Sequence, residues 1–213
     1  MRLAHARARD AVSEALDQAR LAADLEGFGL PVLVLASAAE NRHHYLLRPD
    51  LGRRLAPDAT AALAAHAGDH DVAMVVADGL SARAVETHAH PVLAQVLPVL
   101  RSESWRPAPL TIVRHGRVAI GDVVAATLGA TMVVMLIGER PGLSAPDSMG
   151  AYLTWQPGPR TTDAQRNCIS NIRPEGLGYA DAGRKIVQLL RAMKARRVSG
   201  VQLKDDADSR LIM

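Results

Sequence analysis

Three side chains stand where chemistry could be done without obvious structural need for them. Glu139 follows an apolar run, Thr131 to Ile137, and opens the constrained turn Gly138-Glu139-Arg140-Pro141-Gly142. Cys168, the only cysteine, lies in the polar segment Arg166-Asn167-Cys168-Ile169-Ser170-Asn171. Ser144, in Gly142-Leu143-Ser144-Ala145-Pro146, resembles a nucleophile elbow but lacks the final glycine of G-x-S-x-G and a clear following helix. All three fall in the stretch from Val133 to Leu177, which interleaves five Gly and five Pro with polar groups. A packed core does not need that density, and a surface built to meet something does.

Other candidates are weaker. His88 and His90 form an H-x-H pair inside an expected helix, where side chains at i and i+2 diverge. His43-His44 sits among polar residues with no Cys or carboxylate at ligand spacing, so no metal site is expected at either pair. Asp78-Gly79-Leu80-Ser81 could set a helix N-terminus against an anion, but reads more simply as a turn plus an N-cap. No G-x-G-x-x-G or Walker A loop is present. His115 is the one histidine near a strand end, and Val113 stands where a D-x-H-x-x-G cobalt-ligating motif would need its Asp.

The elements that must position these groups alternate. Met1 to Leu25 reads as a helix with Val12, Leu16, Ala19 and Ala23 at 3.6-residue spacing, closed by Gly27 and Gly29. Leu30 to Ala36 reads as a strand covered on both faces, and Ser37 to Leu55 as polar and turn-rich. Then come a helix from Pro57 to about Ala67, a strand Val72–Ala77, and a helix capped by Ser81 that continues past Pro91 and Pro98 to Leu100. A strand Leu110–Arg114, a short helix Gly121–Leu128 and a strand Thr131–Ile137 follow. Tyr152–Gln156 is expected as a fifth strand, at an edge, and Tyr179–Val198 as the last long helix with Ile186, Leu189, Leu190 and Met193 as its apolar stripe. The pattern specifies an α/β fold, a mainly parallel doubly wound sheet with helices on both faces, preceded by a helical N-terminal segment. The one candidate boundary, near Leu55, separates a helical and loop-rich region 1–55 from an α/β region 56–213.

Composition narrows the function classes. With 213 residues, 48% of them hydrophobic, the chain can bury a sizeable core. A net charge of +3 with scattered cations and 3% aromatics gives no nucleic-acid footprint. The basic cluster Lys194-Ala195-Arg196-Arg197 reads as cations complementing a helix C-terminus. One cysteine excludes an intrachain disulfide, and no apolar run approaches the ~20 residues of a membrane span. The expected location is the cytoplasm, free or held inside a cytoplasmic assembly.

Four ordered blocks carry a resemblance. They are Tyr45-Leu46-Leu47-Arg48-Pro49-Asp50-Leu51-Gly52-Arg53, then Val76-Ala77-Asp78-Gly79-Leu80-Ser81-Ala82 with Ala84-Val85 and His88-Ala89 behind it, then Arg117-Val118-Ala119-Ile120-Gly121-Asp122, and the long block from Gly138 to Leu177. In these the chain resembles the light chain of ethanolamine ammonia-lyase. Light chains of that family usually carry a further segment ahead of the stretch matching Leu3 to Asp10, whereas Met1 here begins nearly on top of it.

The resemblance implies adenosylcobalamin as cofactor, a heavy-chain partner in a hetero-oligomer, and radical conversion of ethanolamine to acetaldehyde and ammonia. It implies that the heavy chain holds the substrate while the light chain covers part of the corrin, with no catalytic residue and no metal ligand of its own. It also implies cofactor contacts at Val118, Glu139 and Cys168. Glu139 has independent support, because open α/β sheets present ligand-binding groups directly after buried strands; the alternative is a surface pair with Arg140. Val118 would act by its carbonyl or by packing, and Cys168 by a peripheral contact rather than by redox chemistry. Arg166, Asn167, Asn171 and Arg173 would hold the loop or face the partner. The competing reading is a non-catalytic α/β module that docks a partner without a working cobalamin site.

Overall fold

The computed structural model describes residues 14–142 and 147–203. The first helix of the described residues, α1, spans Gln18–Glu26, where the Asp17 side chain accepts from the Arg20 N–H at 3.1 Å and caps it; residues 1–13 of the expected Met1–Leu25 helix lie outside the described residues. It buries Leu21 and Leu25, while Ala19 and Ala23 face solvent. The two leucines gain more from burial than the alanines of the expected stripe. Val12 lies outside the described residues. After Gly27 caps α1 and Gly29 turns the chain at φ +66°, strand β1 runs over Val32–Ala36.

The expected turn-rich segment holds a short helix, α2 (Arg42–Leu47), capped by Asn41, and a 3-10 turn at Leu51–Arg53. Helix α3 (Pro57–Ala64) starts on its proline, strand β2 covers His70–Ala77, and α4 (Ala82–Ser102) carries Pro91 and Pro98 inside it. Strand β3 is Leu110–Arg114, α5 is Ile120–Leu128, and β4 is Ala130–Gly138. Strand β5 (Met149–Trp155), strand β6 (Arg166–Ile172) and helix α6 (Tyr179–Arg196) complete the fold. The last turn of α6 carries Lys194 and Arg196, cations at the negative end of the helix dipole.

The six strands form one mixed sheet in the order β1-β3-β2-β4-β5-β6. The first four are parallel, while β5 and β6 add on antiparallel beyond β4. Residues alternate between two cores. Val72, Met74 and Val76 of β2, with Met132, Val134 and Leu136 of β4, face the layer containing α1, α4 and α6. Ala73, Val75 and Ala77, with Val133, Met135 and Ile137, face α3 and α5. Helices on both faces explain why these two strands read as continuous apolar runs.

Two expectations change. Strand β1 is the outer edge, with Val34 45% exposed, rather than a strand covered on both faces. Strand β5 is internal, because β6 pairs along its outer side. β6 gives no strand signal in the sequence: of its seven residues, only Ile169 and Ile172 are buried.

Candidate functional site

The carboxyl ends of β2, β3 and β4 converge, and backbone contact sets their spacing. Gly79, at φ +53°, and Gly138 face one another so closely that a Cβ on Gly138 would collide with the carbonyls of Ser81 and Asp78. The Leu80 N–H donates to the Gly138 carbonyl at 3.0 Å. The segment Asp78 to Ser81 is a turn and cap: the Ser81 N–H donates to Asp78 O at 2.9 Å, and its hydroxyl accepts from the Ala84 N–H at 3.3 Å.

Asp78 points inward and is 1% exposed. Its carboxylate accepts from the Gly116 N–H at 3.2 Å and from Arg42 Nη1 at 3.3 Å. Burial nonetheless pushes its pKa up to about 6, against the opposing pull of Arg42 and Gly116. Beside it Tyr45, fully buried, donates its hydroxyl to Gly116 O at 3.3 Å, and burial raises its pKa to about 12. The guanidinium groups of Arg42 and Arg117 lie 4.8 and 4.2 Å from the centre of the Tyr45 ring, within cation–π range.

Beyond β3, His115 adopts φ 57° and its Nδ1 lies 3.2 Å from the Ala39 carbonyl. The chain then passes through Arg117 and Val118 into α5. Arg117 is seated from below by the first sequence block. Its N–H donates to Gly52 O at 2.7 Å and its Nη2 to Tyr45 O at 3.1 Å. A Cβ on Gly52 would stand 2.8 Å from Arg117 Cγ, so glycine makes room for this side chain.

Glu139 leaves β4 with its N–H donating to Ser148 O at 3.0 Å. Its carboxylate lies over β5, where a Cβ on Gly150 would come within 2.9 Å of Oε1, and Oε2 accepts from the Asn171 N–H at 3.2 Å. Among the described residues no ion pair joins it to Arg140. Asn171 takes φ 58°, and its side chain accepts from Arg173 Nε at 3.0 Å. Cys168 is exposed, opposite Tyr152 of β5 in register, with Sγ 3.2 Å from the Ser170 hydroxyl. Burial, with Cys168 beside it, drives the Tyr152 phenol well above its ordinary range.

The base of β6 is fixed by a buried ion pair. Arg166 donates twice to Asp122 of α5, at 2.6 and 2.7 Å, and both side chains are 4% exposed. This two-pronged bond holds the guanidinium firmly charged. Asn167 secures the following chain, donating to Leu203 O at 2.8 Å and accepting from the Gly200 N–H at 2.7 Å. Of the four polar residues expected to hold the loop or face a partner, Arg166 and Asn167 are thus bonded inward.

Two adjoining cavities open along this edge. One, of about 520 Å³, is lined by Arg53, Arg117, Val118, Tyr152, Arg166 and Cys168 among others. The second, of about 410 Å³, is lined by Tyr45, Leu80, Arg117, Val118, Glu139 and Tyr152 among others. Arg117, Val118 and Tyr152 belong to both, so the two form one cleft. Val118 sits at its middle, Glu139 in the smaller lobe and Cys168 in the larger.

Sequence reasoning did not single out Arg117, Tyr45, Tyr152 or the Asp122–Arg166 pair. Arg117 stands directly before Val118 in a quoted block, but its packing on Tyr45 spans 72 positions and no spacing announces it. Ser144 lies outside the described residues. His88 and His90 diverge: His88 Nδ1 is 2.9 Å from the Tyr179 hydroxyl, whereas His90 stacks on Phe28 with ring centres 4.9 Å apart. Among the described residues no group of three or more His, Cys, Asp or Glu could hold a metal ion, and no helix is long and apolar enough to cross a membrane.

Fold and cleft together define a doubly wound α/β protein with a mixed polar and apolar groove at the strand ends, where such sheets receive ligands. Residues 1–204 match the family model described as ethanolamine ammonia-lyase light chain, and the chain belongs to that family. It is 56% identical, over 99% of its length and 79% of the relative's, to the ethanolamine ammonia-lyase small subunit of Xanthomonas campestris pv. campestris. The small subunit of Azotobacter vinelandii is 54% identical over 96% of this chain and 77% of its own, and that of Ralstonia nicotianae 54% over 98% and 79%.

Proposed function

We propose that this chain is the small subunit of an ethanolamine ammonia-lyase, which with a heavy-chain partner holds adenosylcobalamin for conversion of ethanolamine to acetaldehyde and ammonia. The observation that carries the reading is the single cleft lined by Val118, Glu139 and Cys168, three residues from separate segments: the loop after β3, the end of β4 and strand β6. A macrocycle fringed with amides needs apolar surface with acceptors and donors at its margin. Val118 and the Tyr152 ring supply the former; the Glu139 carboxylate, the Cys168 thiol and the cleft's hydroxyls and arginines supply the latter. The fit is to the cofactor's periphery.

When bound, the cofactor supplies the radical chemistry, and the protein's part is to place it and shield it from water. Glu139 spends one oxygen on the Asn171 N–H, which fixes the carboxylate and leaves acceptor capacity for amide donors. Val118 packs partly buried against the core and lines the cleft, while its carbonyl accepts from the Gly121 N–H at 3.1 Å. Cys168 stands at the opposite lobe on a strand anchored by Arg166. The buried acids Asp78 and Asp122 are both engaged with arginines, which suits a subunit that binds and positions while the partner acts on substrate.

The test is reconstitution. Mixed with its heavy chain and adenosylcobalamin, the purified chain should yield acetaldehyde from ethanolamine, and alone it should yield none. Turnover without the partner would overturn the subunit reading.

A further inference from the structure

The cleft contains a cation held without a counter-ion. Arg42 pairs with Asp78, Arg166 with Asp122 and Asp163, and Arg48 and Arg54 with Asp50. Arg117 has no carboxylate partner among the described residues. Its Nε is shut off from solvent with no acceptor. An enclosed charge balanced by no carboxylate costs free energy, so the part of the Arg117 side chain that lines the cleft favours an anion arriving from outside.

The side chain is nonetheless held in place. The Tyr45 ring lies beneath its guanidinium at 4.2 Å, the Tyr45 carbonyl takes Nη2 at 3.1 Å, and Gly52 leaves space for its stem. Tyr45 is fully buried and itself bonded to Gly116 O, so the platform under Arg117 cannot easily move. A guanidinium fixed in this way has lost little freedom still to lose on binding a planar or tetrahedral oxyanion. Arg53, exposed and also unpaired with any carboxylate among the described residues, lines the same 520 Å³ lobe and adds to its positive potential.

We infer that Arg117 is the anion-recognising residue of the cleft, and that its ligand is the phosphodiester of the bound cobalamin. This rests on the reading of the chain as a cobalamin-holding subunit. The phosphodiester links the cofactor's nucleotide tail to its corrin and is its one fixed negative charge outside the metal's immediate shell. Arg117 borders Val118 and lines both lobes, so an anion there would lie beside the peripheral contacts already assigned. Arg117 thus determines specificity: it favours the complete cofactor over corrinoids lacking the tail.

The experiment titrates hydroxocobalamin and hydroxocobinamide, which lacks phosphodiester and nucleotide, into the assembled heavy–light complex, following absorbance or heat. Arg117→Gln should weaken hydroxocobalamin roughly ten- to hundredfold, the scale of a lost charge-assisted pair. Hydroxocobinamide binding should stay within about twofold of wild type, a difference within the scatter of affinity arithmetic. Arg117→Lys keeps the charge but loses the fork, and should narrow the preference for hydroxocobalamin by roughly threefold or more. Assembly is followed in parallel by sedimentation. If Arg117→Gln does not assemble, the Lys variant carries the test, and an unchanged preference there overturns the inference. Equal weakening of both corrinoids, or weakened assembly without cofactor, assigns Arg117 to a carboxylate of the partner subunit and likewise overturns it. Failure of the wild-type complex to bind hydroxocobalamin would instead sink the functional reading beneath it.

Discussion

In the parallel half of the sheet, β2 and β4 are sealed on both faces and every residue from Val72 to Ala77 and from Met132 to Ile137 is buried. In the antiparallel extension, β6 buries only Ile169 and Ile172 and turns Cys168, Ser170 and Asn171 outward. The first half is held by apolar surface; the outer end of the second is held by polar bonds, with Arg166 reaching back to Asp122 and Asn167 to residues 200 and 203. The cleft lies along the seam between them. Glu139 leaves the last parallel strand, Cys168 sits on the outermost antiparallel one, and the distance between them depends on two strand registers. A frame that needs only hydrophobicity carries an edge that needs specific bonds.

Breaking the strongest of those bonds tests this contrast most severely. Asp122→Ala leaves Arg166 charged and enclosed with only the exposed Asp163 carboxylate beside it, and should destabilise the protein by ~3–5 kcal/mol in denaturant titration. A loss below about 1 kcal/mol, the worth of a surface pair, would show that β6 does not depend on it.

Asp78 sharpens the comparison from the parallel side, where burial dominates charge. Its folded pKa of about 6 lies above the ordinary 3.8, so the folded state keeps a proton that the unfolded chain releases. Stability from this group is therefore full below the unfolded pKa, falls as pH rises from about 4 to 6, and stays low above that. Asp78→Asn should remove this fall, a relative gain of up to ~3 kcal/mol between pH 4 and 7. Parallel stability–pH curves for the two proteins would disprove it.

Glu139 probes the seam itself. Glu139→Gln keeps shape and one acceptor oxygen, so folding should be nearly unchanged, while adenosylcobalamin binding to the heavy–light complex should weaken by ~1–3 kcal/mol. Equal cofactor affinities by titration would remove Glu139 from the site. The smallest effect is expected at Cys168: exposed, it should accept Ser with a stability change within ~0.5 kcal/mol. A large loss in thermal unfolding would mean that its side chain is structural.

The residues that made each element legible are those whose partners did not matter. β2 and β4 carry the continuous apolar runs Val72–Ala77 and Met132–Ile137, and β3 carries Leu110, Ile112 and Val113, because helices cover these strands whichever strand lies alongside. Ser81 caps α4 by a bond to Ala84, three positions on, and α6 buries its stripe of Ile186, Leu189, Leu190 and Met193 as its periodicity predicts. β1 and β5 were equally visible as strands, but their places in the sheet were exchanged in expectation: the one read as enclosed is the edge, and the one read as an edge is enclosed. Apolarity reports burial, and a strand's neighbours are a matter of topology. β6 was missed because Arg166-Asn167-Cys168-Ile169-Ser170-Asn171-Ile172 has neither alternation nor a continuous apolar run.

By itself, then, the sequence determined the layered α/β class, the Ser81 cap and the buried strands β2 and β4, and the candidate positions Val118, Glu139 and Cys168 through local pattern and resemblance. Tertiary structure alone decided that these three line one cleft. It alone set Tyr45 and Gly52 beneath Arg117, and joined Asp122 to Arg166 across 44 positions. Local pattern records what each residue costs to bury or bend, whereas the meeting of distant side chains depends on strand order and register, which no short stretch of chain contains.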